Sequence, residues 1–149
     1  MPNDYIRALD HIRAVQRGDA PAPPIASLIG FTLHEVEPGR AVVRLEAAPR
    51  HANPMGTVHG GVLCDIADAA MGMAYAATLD PGETFTTLEL KINFLKPVRT
   101  GRLTATGRLV KGGRTVGLTE CDVVDDKDRL VARASSTCMT LRDEQAVGR

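Results

Sequence analysis

The sequence predicts an α+β fold in which six antiparallel strands curl around one long buried helix. Three observations carry this. Residues 60–78 place apolar side chains nearly all the way round a helical wheel, which marks a helix enclosed by the rest of the chain. Two strand-like runs precede it, and four follow with little else between them. A lone buried helix has to be covered, and a sheet that curls over it is the layout this order allows. At 149 residues the chain is long enough to bury a core without disulfides or metals, and it shows no internal repeat and no second domain. The expected division is an N-terminal helix and linker over residues 1–24, the main domain over 25–142 and a polar, frayed tail over 143–149.

The elements follow in order. Residues 4–16 carry Ile6, Leu9, Ile12 and Val15 at a spacing of three, which suits an amphipathic helix for packing or oligomer contact. Gly18 stops it, and the run APAPP is an extended linker. A further helical turn is expected at 25–29, then strands at 31–36 and 40–47 joined by Glu37-Pro38-Gly39. After the long helix, residues 86–95 alternate, with Leu88, Leu90, Ile92 and Phe94 on one face and Thr87, Glu89, Lys91 and Asn93 on the other. Strands at 102–111 and 115–124 flank the Gly112-Gly113 turn, and a final strand spans 130–141.

Composition excludes several functions. Lys plus Arg balances Asp plus Glu at 18 each, so no global charge attracts nucleic acid or an anionic membrane. No apolar run is long enough to span a bilayer, and the charged N-terminus lacks a signal-peptide core. A cytoplasmic location is expected. Cys64, Cys121 and Cys138 are odd in number and widely spaced, so they suit buried thiols better than disulfides or a metal site.

The stretch HANPMGTVHGGVLCDIADAAMGMAYAA, residues 51–77, concentrates the chemistry. A Pro- and Gly-containing loop meets the helix at Gly60-Gly61, and two acids, Asp65 and Asp68, lie among apolar residues beyond it. With Asn53, Gly56, His59, Gly60, Gly61 and Asp68 at these spacings, with FLKPVRTG ending a strand and with the KGGRT hairpin, residues 25–141 resemble the hotdog fold. More narrowly, they resemble the acyl-CoA thioesterases of the phenylacetate-degradation (PaaI-like) family.

A helix start offers backbone N–H groups without internal partners at the positive end of the dipole, suited to polarising a carbonyl. The resemblance implies that the Gly60 amide is the oxyanion donor, with Gly61 beside it, and that Asp68 is the base or nucleophile. Burial would raise a carboxylate toward base work near neutrality. Asp65, three residues earlier on the same side of the helix, is given a structural or flanking role. Asn53 either orients water or the thioester or forms a turn, and His59 either contacts the thioester or orders the loop. The resemblance also implies that Thr87 faces the acid from a neighbouring subunit, with Thr86 one residue away as the alternative. Lys96, Arg99, Lys111 and Arg114 are candidates for the coenzyme A phosphates, against an ordinary role as solubilising turn charges.

No metal and no cofactor are expected, coenzyme A being part of the substrate. The expected partners are an aromatic or medium-chain acyl-CoA and a second copy of the chain. Exposed sheet edges favour a homodimer or homotetramer with active sites at the dimer interface. Apolar walls are expected from Met71, Met73 and Leu88. Two other activities share the fold class: a non-catalytic acyl-CoA-binding protein, and an enoyl-CoA hydratase, whose histidine–acid motif is absent from the sequence.

Overall fold

The computed structural model describes residues 7–148. Its elements in chain order are helices α1 (Ala8–Arg17) and α2 (Pro24–Ile29), strands β1 (Phe31–Glu37) and β2 (Arg40–Ala47), helix α3 (Gly60–Ala76), and strands β3 (Thr84–Phe94), β4 (Gly101–Gly112), β5 (Val116–Val124) and β6 (Leu130–Leu141). The six strands form one sheet in the order β1-β2-β4-β5-β6-β3, antiparallel throughout. This is the expected hotdog architecture. The start expected for the first helix, including Ile6, lies outside the described residues. The tail expected to fray carries a 3-10 turn at Asp143–Ala146.

The core lies between α3 and the concave face of the sheet. Leu45, Ile66, Met71, Leu103, Val43, Val123 and Val131 are its largest fully buried apolar side chains. The helix comes close because both surfaces are small at the crossing. Ala67, Ala70 and Ala74 supply the helix side, and Gly107 of β4 supplies the sheet side. A Cβ on Gly107 would run into the backbone of Ala70 and reach 2.6 Å from the Met71 nitrogen.

The helix α1 is not merely peripheral. Leu9 is buried with Val36, Ala41, Ala74 and Ala77, and Ile12 packs beside them. Gly18, at φ 82°, ends it in the left-handed conformation that glycine adopts at least cost. α1 thereby covers one flank of α3 instead of leaving the sheet to do so alone.

One irregularity in β3 decides which side chains face the helix. Thr87 pairs with Cys138 and Glu89 with Thr137, so Leu88 is an extra residue in a β-bulge. Strict alternation would put Thr87 and Leu90 on opposite faces. The bulge restores both to the concave face, where Leu90 and Ile92 pack on the core, and it leaves Leu88 53% exposed. The predicted single apolar face of Leu88, Leu90, Ile92 and Phe94 is therefore broken at its first residue. Leu88 forms no inner wall. Met71, fully buried in the core, forms none either, whereas Met73 does line a cavity.

Candidate active site

The loop before α3 is held by its own polar groups. Asn53 Oδ1 accepts from the Met55 and Thr57 amides at 2.9 and 3.2 Å, and its Nδ2 donates to Thr57 Oγ1 at 2.9 Å. The carboxamide is thus engaged in shaping the turn. His51 is buried: its Nδ1 accepts from the Ala48 amide at 3.0 Å, which leaves Nε2 to donate to the Ile29 carbonyl at 2.7 Å. Arg99 donates to the Gly56 carbonyl at 3.1 Å and so clamps the loop from outside. The Val58 and His59 amides donate to Val98 and His51 carbonyls, both at 2.8 Å, and fix the entry into the helix.

His59 is the N-cap of α3, and its Nδ1 accepts from the Gly61 amide at 2.8 Å. That bond occupies Gly61, which the sequence had set beside Gly60 as an oxyanion donor. Among the described residues the Gly60 amide has no acceptor. It opens into a cavity of about 370 Å³ that includes Asn53, Lys96 and Phe94. A Cβ on Gly60 would stand 2.8 Å from the far end of the Phe94 ring, so a side chain here requires that exposed ring to turn aside.

Asp68 lies elsewhere. Thr87 Oγ1 donates to its Oδ1 at 3.2 Å, within a single chain. The expectation that Thr87 reaches the acid from a neighbouring subunit is therefore corrected: the β3 bulge turns Thr87 inward onto its own helix. Thr86 pairs with Met139 on the next position of the ladder and does not meet the acid. Burial raises the Asp68 carboxyl above the ordinary carboxylate range, and the Thr87 hydrogen bond partly opposes that rise. The pair opens into a cavity of about 420 Å³ whose other lining includes Asp65, Gly72, Met73 and Phe85.

Asp65, which the sequence assigned to the helix flank, shares this cavity. Its carboxyl is also raised, by burial first and then by the charge of Asp68. The same surroundings raise the half-buried Cys64 thiol, through burial and both carboxylates, while burial pushes Cys121 up to about 12. Neither thiol is set up as a nucleophile.

The two halves of the expected site are thus apart. Gly60 and Asp68 are eight residues apart on one helix, about 12 Å along its axis, and their cavities share no lining residue. The basic candidates also divide. Lys96 and Arg99 lie at the Gly60 end, with Lys96 paired to Asp125 at 3.1 Å. Lys111 and Arg114 lie at the other end of the sheet, where Val116 meets Met139 and Met139 meets Thr86. Phe85, Phe94 and the cavity walls from α1 escaped the sequence reading. The spacing of three in α1 signalled an inward apolar face without saying what it would enclose.

Residues 55–132, more than half of the chain, match the family described as the thioesterase superfamily. The chain belongs to that superfamily. As a member of it, the chain is a thioester hydrolase, and the hotdog resemblance read from HANPMGTVHGG is borne out. A solved structure of a phenylacetic acid degradation-related protein from Ralstonia eutropha JMP134 superposes with a TM-score of 0.79 at 34% identity. The match covers 86% of this chain and 98% of that one. The 1,4-dihydroxy-2-naphthoyl-CoA hydrolase of Listeria monocytogenes is 31% identical over 73% of this chain and 89% of its own length. Acyl-coenzyme A thioesterase 13 of Pongo abelii is 26% identical, over 72% and 77% respectively. In this thioesterase-superfamily chain, no helix among the described residues is long and apolar enough to cross a membrane.

Proposed function

We propose that this protein hydrolyses acyl-CoA thioesters, with Asp68 as base or nucleophile and the Gly60 amide as oxyanion donor. The observation that carries the reading is the Asp68–Thr87 pair at the mouth of an apolar cavity, with its carboxyl raised by burial. A carboxylate with a raised pKa is a better base in its ionised form. The Gly60 amide, without an acceptor in its own chain, suits a carbonyl oxygen that gains charge as the thioester is attacked. The acyl-CoA hydrolase and thioesterase named among the relatives support coenzyme A as the leaving group.

Separation along α3 favours a site completed by a second copy of the chain. An amide and a carboxylate about 12 Å apart on one helix cannot serve one carbonyl carbon. β3 is an edge strand of eleven residues, with Thr87 near its start and Phe94, over Gly60, at its end. Antiparallel pairing of two such edges would lay the start of one strand beside the end of the other. Asp68 and Thr87 of one protomer would then face Gly60 of its partner, giving two equivalent sites per dimer. The same pairing would draw Lys111 and Arg114 toward the partner's Lys96 and Arg99, a setting for the coenzyme A phosphates.

The test is thiol release from a panel of acyl-CoAs. The wild-type protein should turn over with saturation. Asp68→Asn, which preserves shape and the bond from Thr87, should lose activity by about a thousandfold or more at unchanged melting temperature. Turnover of Asp68→Asn within tenfold of wild type would remove the carboxylate from the mechanism.

A further inference from the structure

The cavity at Asp68 does not end at the helix. Five residues, His11, Ile12, Pro23, Phe31 and Met73, line both it and a second cavity of about 270 Å³ beneath α1. That inner compartment is completed by Val15, Gln16, Ala22, Ala26, Thr32 and Leu33. Among the described residues no charged side chain adds to it, and Gln16 Nε2 donates to the His34 carbonyl at 2.7 Å. The two compartments therefore share a wall of Ile12, Phe31 and Met73, and together they extend the cavity from the carboxylate into a partly open, largely apolar groove between α1, α2 and β1.

We infer that this is a two-compartment acyl channel and that the substrate is a thioester of an unbranched, uncharged acyl chain long enough to pass the shared wall. The inference rests on the reading of Asp68 as the attacking group, which fixes the thioester carbon at the outer compartment. The acyl chain must then lead away from that carbon, and the inner compartment is the apolar volume continuous with it. A compact aromatic acyl group would sit in the outer compartment and leave the inner one empty, losing the transfer free energy of that burial. An acyl group with its own carboxylate would meet Asp65 and Asp68, two like charges in a partly desolvated cavity. Most of the channel wall precedes residues 55–132, the part matched to the superfamily, so the N-terminal segment would set the selectivity.

Hydrolysis of butanoyl-, octanoyl-, dodecanoyl-, phenylacetyl- and glutaryl-CoA by the full chain tests this, with Val15→Phe and Ala22→Phe as blocking variants on separate segments. Both residues line only the inner compartment. In the wild type, kcat/KM should climb from butanoyl to dodecanoyl, exceed that for phenylacetyl, and be lowest for glutaryl. Either variant should lose about tenfold or more on dodecanoyl-CoA while butanoyl-CoA stays within about twofold. A flat or falling series, or equal losses on both substrates in variants of unchanged circular dichroism, overturns the channel. Binding of S-dodecyl-coenzyme A, a thioether that is not hydrolysed, separates the two readings. Its thermal stabilisation of wild type but not Val15→Phe upholds the channel even if no thioester is cleaved. Cleavage without dependence on chain length or on Val15 leaves the hydrolase standing and removes the channel.

Discussion

Asp68 is tuned by two opposed effects that both come from its immediate surroundings. Burial destabilises the carboxylate and raises its pKa, and the Thr87 hydroxyl, donating at 3.2 Å, stabilises it and lowers the pKa. As the proposed base or nucleophile the group acts only when ionised, so kcat/KM should fall as pH drops through its pKa. Thr87→Val keeps the shape and removes the donor, leaving the rise from burial unopposed. The acidic limb of the pH–rate profile should move to higher pH, and activity at neutral pH should fall by about tenfold, as expected for losing one hydrogen bond to a charged group. A limb that stays in place, or moves to lower pH, would mean that Thr87 does not load the carboxylate. Of the candidate site, the placing of Gly60 at the helix start and of Asp68 two turns beyond it was legible in the sequence. Thr87 was legible as a residue type, but not as a partner within the same chain.

At the level of elements, the site depends on how α3 is seated. Its small residues were visible in the sequence as a surface that invites close packing, but the complementary gap at Gly107 was not. A glycine in the middle of a strand has no periodicity to reveal it, and only the crossing of α3 over β4 shows what it admits. Gly107→Ala would press a methyl group against the Ala70 and Met71 backbone, which cannot step aside as a side chain can. The variant should be destabilised by about 3 kcal/mol or more, seen as a lower urea midpoint at constant slope. Loss under about 1 kcal/mol would show that the helix has slack at this crossing. The bulge at Leu88 is the other hidden device. Alternation in residues 86–95 looks uninterrupted, because Thr87 is polar and Leu88 apolar as a regular strand would have them. The extra residue reverses their faces and so brings the hydroxyl to the acid.

Across the whole molecule, the proposed mechanism makes assembly part of the chemistry, because Gly60 and Asp68 lie apart on one helix. Gly60→Pro is a selective lesion: it deletes the N–H at the first helical position, where proline is best tolerated, behind a His59 already in the extended conformation that proline requires. Alone, Gly60→Pro and Asp68→Asn should each be inactive. Co-refolded in equal amounts, they should regain roughly a quarter of wild-type activity, because half the dimers are mixed and each mixed dimer holds one intact site. No recovery in a mixture shown by light scattering to contain dimers would mean that each site is built from one chain.

By itself, the sequence determined the enclosure of one helix by six strands, the glycine pair at that helix's start and the acid two turns beyond. Periodicity and spacing along a chain carry these features, and they survive whatever packs against them. Only the tertiary structure decided which hydroxyl meets Asp68, that His59 occupies the Gly61 amide, and that α1 walls the cavity beside α3. Each of these depends on a residue distant in sequence arriving at a particular height and angle. A single bulge in β3 or a single glycine in β4 changes that arrival without altering the local pattern around it.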